Sequence, residues 1–81
     1  MRVKVLFFGR LREVAGKSEE IVDVPQGALI EQLFKLCAAR KPELATFRSS
    51  VVASLNLEFV QWNTALHADD EVAFLPPVSG G

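Results

Sequence analysis

Residues 28–40 read ALIEQLFKLCAAR, and they decide the fold because no other stretch is long and regular enough for a full helix. Leu29, Leu33, Leu36 and Cys37 fall at i, i+4, i+7 and i+8, which aligns one apolar stripe at the helical period. Ile30 and Phe34 widen it. Glu31 stands in the first turn and Arg40-Lys41 at the end, both favoured by the helix dipole. Pro42 enforces the stop. So broad an apolar face needs a second layer to cover it.

The flanking sequence reads as that layer. Upstream, residues 2–8 (RVKVLFF) alternate around Lys4, which predicts a strand with Val3, Val5 and Phe7 toward the helix. Gly9 breaks it. Residues 10–15 (RLREVA) form a short helical turn closed by Gly16, and 18–24 (SEEIVDV) a second strand ended by Pro25 and Gly27. Downstream, 43–49 read as a loop. Residues 50–55 (SVVASL) and 58–62 (EFVQW) are expected as strands around a turn at Asn56-Leu57, 63–70 as irregular, and 71–75 (EVAFL) as the last strand. Pro76-Pro77 must end that strand, since neither can donate to a ladder. The expected architecture is α+β, a mixed sheet of about five strands packed on one main helix. The body spans residues 1–75, and 76–81 form an extended C-terminal tail.

Composition narrows the function. Eighty-one residues allow one domain, and 49% apolar with 23% charged residues is a globular balance. No apolar run approaches the roughly 18–20 residues of a membrane span. Met1-Arg2-Val3-Lys4 leads straight into a strand rather than a signal-peptide core, so a cytoplasmic protein without a membrane partner is expected. Cys37 and His67 are the single cysteine and histidine. They exclude an internal disulfide, a Cys/His metal site and a histidine relay. Cys37 reads as a small buried hydrophobe, His67 as a solvated loop residue and Trp62 as packing at the rim.

A net charge of −1 argues against a nucleic-acid partner. All nine basic residues lie within residues 1–48, whereas 49–81 hold Glu58, Asp69, Asp70 and Glu71 with none. Either the two parts interleave and cancel, or an acidic surface near the tail steers a basic partner.

Strand parity suggests a surface. With Val3, Val5 and Phe7 inward, Lys4, Leu6 and Phe8 point away from the helix. Val72 and Phe74 inward leave Ala73 and Leu75 outward. Leu6, Phe8, Leu75 and Phe59 are then expected to form an exposed apolar patch of the kind that marks a binding surface. An error of parity in one strand, or a covering loop, would undo it. Arg10, Arg12 and Glu13 form either a solvated turn or, Arg12 above all, a further contact to a partner.

The chain closes PPVSGG, Pro76, Pro77, Val78, Ser79, Gly80 and Gly81. Two prolines hold the backbone extended. Two glycines remove every side chain beside the terminal carboxylate, so a narrow channel can admit the main chain. A partner acting on that carboxylate must first make its oxygen a leaving group, as adenylation by ATP does. A sulfur nucleophile can then attack. The carrier needs only reach, slimness and a free end, and Ser79 has no base to activate it.

KVLFFGRLRE at residues 4–13 with Gly16, the Val-Pro before the helix, Asn56 before the aromatic strand and DEVAFLPPVSGG at 70–81 together resemble the small subunit of molybdopterin synthase. That MoaD-like family consists of ubiquitin-like sulfur carriers, and the similarity runs the whole length of the chain. It implies the β-grasp fold, with the first and last strands side by side at the sheet centre. It implies that an E1-like, MoeB-like enzyme uses ATP to adenylate Gly81 and that a sulfurtransferase persulfide supplies sulfur for a thiocarboxylate. The tail then enters the active site of a MoaE-like large subunit within a heterotetramer, and sulfur passes to cyclic pyranopterin monophosphate to build the dithiolene. An apolar surface beside the tail docks both partners. The chain would bind no cofactor or metal and would not be an enzyme by itself.

There are two departures from the family pattern. Asp69-Asp70 replaces the usual Asp-Gly, so Asp70 is expected to bear a left-handed conformation at about 1 kcal/mol relative to Gly. Leu57 stands where a polar residue is commoner, and extends the apolar patch. Other readings are a sulfur carrier of another pathway (thiamine-type), a ubiquitin-like modifier, or an interaction module with an inert tail. Thiamine carriers are shorter and lack Pro-Pro, while modifiers are longer.

Overall fold

The computed structural model of the chain describes residues 1–76. Among these, strands β1 (Arg2–Phe7), β2 (Glu19–Asp23), β3 (Val52–Leu55), β4 (Glu58–Val60) and β5 (Glu71–Leu75) form one sheet in the order β2-β1-β5-β3-β4. β1 and β5 run parallel side by side at its centre, and the remaining pairs are antiparallel. A short helix α1 (Arg10–Ala15) follows β1 and closes at Gly16, whose φ of 79° suits glycine. Helix α2 (Ile30–Arg40) lies in the connection between β2 and β3.

Helix α2 starts two residues later than its pattern suggests. Leu29 is still extended, at φ −99° and ψ 161°. The N–H groups of Ile30 and Glu31 donate to the carbonyls of Thr64 and Trp62 at 3.1 and 3.0 Å, and that of Leu29 to Gln32 Oε1 at 2.7 Å. First-turn donors need partners outside the helical ladder, so the chain at 62–64 sets the start. The buried stripe is Ile30, Leu33, Phe34 and Cys37. Leu29 is only half-buried and Leu36 is exposed, because the stripe is centred on Ile30 rather than Leu29.

Other boundaries differ as well. Residues expected as a loop form a 3₁₀ stretch, Pro42–Ser50, with Leu44 buried beneath it. The strands expected over 50–55 and 58–62 shorten to β3 and β4. Trp62 leaves the ladder and caps α2 with its carbonyl.

Val3, Val5, Phe7, Val72 and Phe74 form the inner face of the sheet, packed with the α2 stripe in one core. Phe74 is its aromatic centre. Phe34 meets it edge-on at 5.0 Å, and Trp62 stacks on it at 5.6 Å with an 11° tilt. The Arg48 guanidinium lies 3.5 Å from the Trp62 ring centroid. Its Nε donates to Glu31 Oε2 at 3.1 Å. Trp62 is therefore a rim residue, as expected, roofed by an ion pair that ties α2 to the 3₁₀ stretch.

Asn56 and Leu57, at φ 50° and 75°, link the paired residues Leu55 and Glu58. A type I′ turn requires positive φ at both central positions. Asn56 also grips β5. Its N–H donates to the Glu71 carbonyl at 2.8 Å, its Oδ1 accepts from the Glu71 N–H at 3.0 Å, and its Nδ2 donates to Asp70 Oδ1 at 3.0 Å. Asp70 Oδ2 accepts from the His67 N–H at 2.7 Å. The left-handed residue in this turn is Asp69, at φ 68°, and not Asp70 as expected. The Asp70 N–H donates to the His67 carbonyl at 3.2 Å, which places Asp69 at the third turn position, where glycine or asparagine is favoured. Asp70 instead uses its carboxylate to lock the turn.

Candidate functional site

The outer face of the sheet divides along its strands. Near the start of β1, Lys4 Nζ lies 3.2 Å from Glu19 and 4.0 Å from Glu71. Glu71 thus faces a base from the other part of the sequence. Interleaving cancels part of the charge asymmetry, since β5 lies beside β1.

Further along, the face turns apolar. Leu6 pairs with Ala73, Ala73 with Ser54, and Ser54 with Phe59, a row of four strands with one parity. In the next row Leu75 lies opposite Val52, and the Phe8 N–H donates to the Phe74 carbonyl at 3.3 Å. Leu6, Phe8, Phe59 and Leu75 line one hollow of about 190 Å³ with Ala73, Ser54, Leu57 and Glu71. Ala73 keeps the hollow open, because a larger residue there would fill it. Phe8 is 45% exposed, Phe59 74% and Leu57 90%, so no loop of the described fold covers them. Arg12 does not line this hollow. It sits exposed on α1. Beside it, Arg10 reaches back over the Phe47 ring at 5.8 Å.

The tail begins at the rim of this hollow, since Leu75 lines it and is followed by Pro76. A Cβ added at Gly9 would stand 2.9 Å from Pro76 Cγ. Gly9 also adopts φ 55° and ψ −132°, a conformation open mainly to glycine. It both ends β1 and makes room for the root of the tail. Sequence pattern showed the break but not the contact, because the two residues stand at opposite ends of the chain. Of the tail residues Pro76 is described, whereas Pro77, Val78, Ser79, Gly80 and Gly81 lie outside the described residues.

Among the described residues, no group of three or more His, Cys, Asp or Glu side chains is arranged to hold a metal, and no helix is long and apolar enough to cross a membrane. Cys37 is buried in the core beneath the inner face. Burial, and secondarily the charge of Glu20, pushes its thiol pKa up to about 12. The thiolate is the reactive form, so Cys37 is a poor sulfur nucleophile near neutral pH.

Residues 5–81 match the family model described as the ThiS family. The molybdopterin synthase sulfur carrier subunit of Chlamydomonas reinhardtii is 42% identical over the full length of both chains. The chain belongs to the ThiS family, alongside the molybdopterin synthase sulfur carrier subunits. The human subunit of that name is 35% identical, with 99% of this chain and 94% of the relative aligned. Among solved structures, a putative molybdopterin converting factor subunit 1 from Pyrococcus furiosus superposes with a TM-score of 0.87 at 29% identity, over 96% and 99% of the two chains. Small archaeal modifier protein 1 from Haloferax volcanii gives 0.86 at 28% identity over both full chains. The complex of subunits 1 and 2 of the molybdopterin-converting factor from Helicobacter pylori gives 0.71 at 26% identity, again over both full chains. With these neighbours, the strand order of this ThiS-family chain makes its fold the ubiquitin-like β-grasp.

Proposed function

We propose that the chain is the sulfur carrier subunit of molybdopterin synthase and works through the carboxylate of Gly81. The full-length match to carrier subunits of that enzyme, at 42% identity in one case, carries this reading. In it, an activating enzyme joins the Gly81 carboxylate to AMP from ATP and releases pyrophosphate. The terminal sulfur of a persulfide donor displaces AMP to give an acyl disulfide. A thiol then cleaves its S–S bond, forming a disulfide with the donor's sulfur and releasing the thiocarboxylate. The large subunit receives the tail, and the sulfur passes to cyclic pyranopterin monophosphate.

The structure suits that division of labour. The apolar hollow starts where the tail starts, so one partner surface can hold Leu6, Phe8, Phe59 and Leu75 while drawing the tail into a channel. The carrier performs no catalysis itself, and the partners supply the reacting groups. It acts in the cytoplasm, and the solved complex of the Helicobacter pylori subunits 1 and 2 supports a large-subunit partner.

The test is reconstitution. The chain in thiocarboxylate form, with a molybdopterin synthase large subunit and the pyranopterin precursor, is expected to yield molybdopterin. No product, with the precursor recovered intact, would reject the reading. Deletion of Gly81 is expected to abolish product while leaving the melting temperature unchanged, because the described core closes without it. The likeness to a small archaeal modifier protein supports a second reading, attachment of Gly81 to lysines of other proteins. Lysine-linked adducts in cell extract, without molybdopterin formation, would favour it.

A further inference from the structure

We propose that Leu57 is a docking anchor for the large subunit of molybdopterin synthase, an inference that rests on the carrier reading above. Two unfavourable features meet at this residue. Its φ of 75° places a branched side chain where the second position of a type I′ turn favours glycine. Its side chain is also 90% exposed, so little inside the fold offsets the strain.

Strained backbone persists where the surroundings over-determine it, and it concentrates at functional positions. Here the surroundings are the three hydrogen bonds that fasten Asn56 to Asp70 and Glu71. They hold the turn without help from the Leu57 side chain. The result is an apolar group carried on a fixed turn backbone at the edge of the hollow that Phe59 also lines. A turn whose backbone is set in advance gives up less freedom when it binds.

The strand register indicates the size of the partner. Leu75 lies opposite Val52 and Val72 opposite Leu55, so the Asn56-Leu57 turn and the root of the tail stand at opposite ends of the β3–β5 pair. A protein that receives the tail and also covers Leu57 must span the whole length of this face. A long, apolar footprint suits a resident subunit better than a brief encounter, because long-lived interfaces are larger and more apolar. This favours the large subunit over the activating enzyme.

The experiment measures calorimetric affinity of the parent, Leu57→Gly and Leu57→Asn chains for a purified molybdopterin synthase large subunit, with melting temperatures of all three. Both variants are expected to bind about tenfold or more weakly. Both should melt no lower than the parent, because Gly and Asn tolerate the left-handed turn. Affinities within about twofold of the parent would overturn the anchor. So would a loss confined to a parallel titration with the activating enzyme, which would assign Leu57 to that protein. Failure of the parent itself to bind would reject the carrier reading, a result distinct from retained binding in the variants.

Discussion

The two faces of the central strands are made from alternate residues of the same segments, yet they do opposite work. Val5, Phe7, Val72 and Phe74 point inward and are lost to solvent. Leu6, Phe8, Ala73 and Leu75 alternate with them and line a hollow on the outside. Chemically the two sets are alike. The difference is α2, which covers one face, whereas no element among the described residues covers the other. Apolar residues on the covered face stabilise the domain, and those on the bare face are the surface proposed above for docking. Stability and docking should therefore separate by parity.

The sharpest way to break that contrast is on the inner face. Phe74→Ala removes the ring that Phe34 and Trp62 pack against, and is expected to destabilise the fold by about 3–5 kcal/mol in urea titrations. A loss below about 1 kcal/mol would mean the aromatic cluster is not the centre of the core. Phe59→Asp on the outer face should behave in reverse. Affinity for the large subunit should fall by about 2 kcal/mol or more, while stability stays within about 0.5 kcal/mol. Equal effects on both would erase the distinction.

Gly9→Val probes the place where the faces meet the tail. The positive-φ backbone, open mainly to glycine, and the contact with Pro76 should together lower stability by about 1–3 kcal/mol, read as a shifted thermal midpoint.

The smallest effect concerns Glu31. The hydrogen bond from Arg48 holds the Glu31 carboxyl below the usual carboxylate range, opposed by desolvation and aided to a lesser degree by the charges of Arg48 and Lys35. A carboxylate with a lowered folded-state pKa adds stability above its unfolded pKa and loses it as pH falls through the folded value. Glu31→Gln should therefore be slightly less stable than the parent at neutral pH and equal to it once acid has protonated Glu31. Trp62 fluorescence, under the Arg48 guanidinium, reports the same change. A difference that persists in acid would contradict the assignment.

Much of this was legible because period and parity are local. Alternation in residues 2–8 and 71–75 placed Val3, Val5, Phe7, Val72 and Phe74 inward, and the outward set followed by elimination. What escaped the sequence was set by contacts between distant segments. The first turn of α2 depends on carbonyls at 62 and 64, so the stripe centred on Ile30 was misplaced by one residue. The left-handed position fell at Asp69 because Asp70 is engaged by Asn56 across the β3–β4 turn. The Gly9–Pro76 contact and the Arg48–Trp62 stack join segments whose spacing carries no periodic signal. The tail was legible in another sense, since its slimness follows from composition alone.

The most direct measurement is the intact mass of the chain after incubation with ATP, an activating enzyme, a persulfide donor and a thiol reductant. Replacement of one oxygen by sulfur is expected, located at Gly81 by fragmentation and absent when Gly81 is deleted. An unchanged mass, or sulfur found on Cys37 instead, would contradict it.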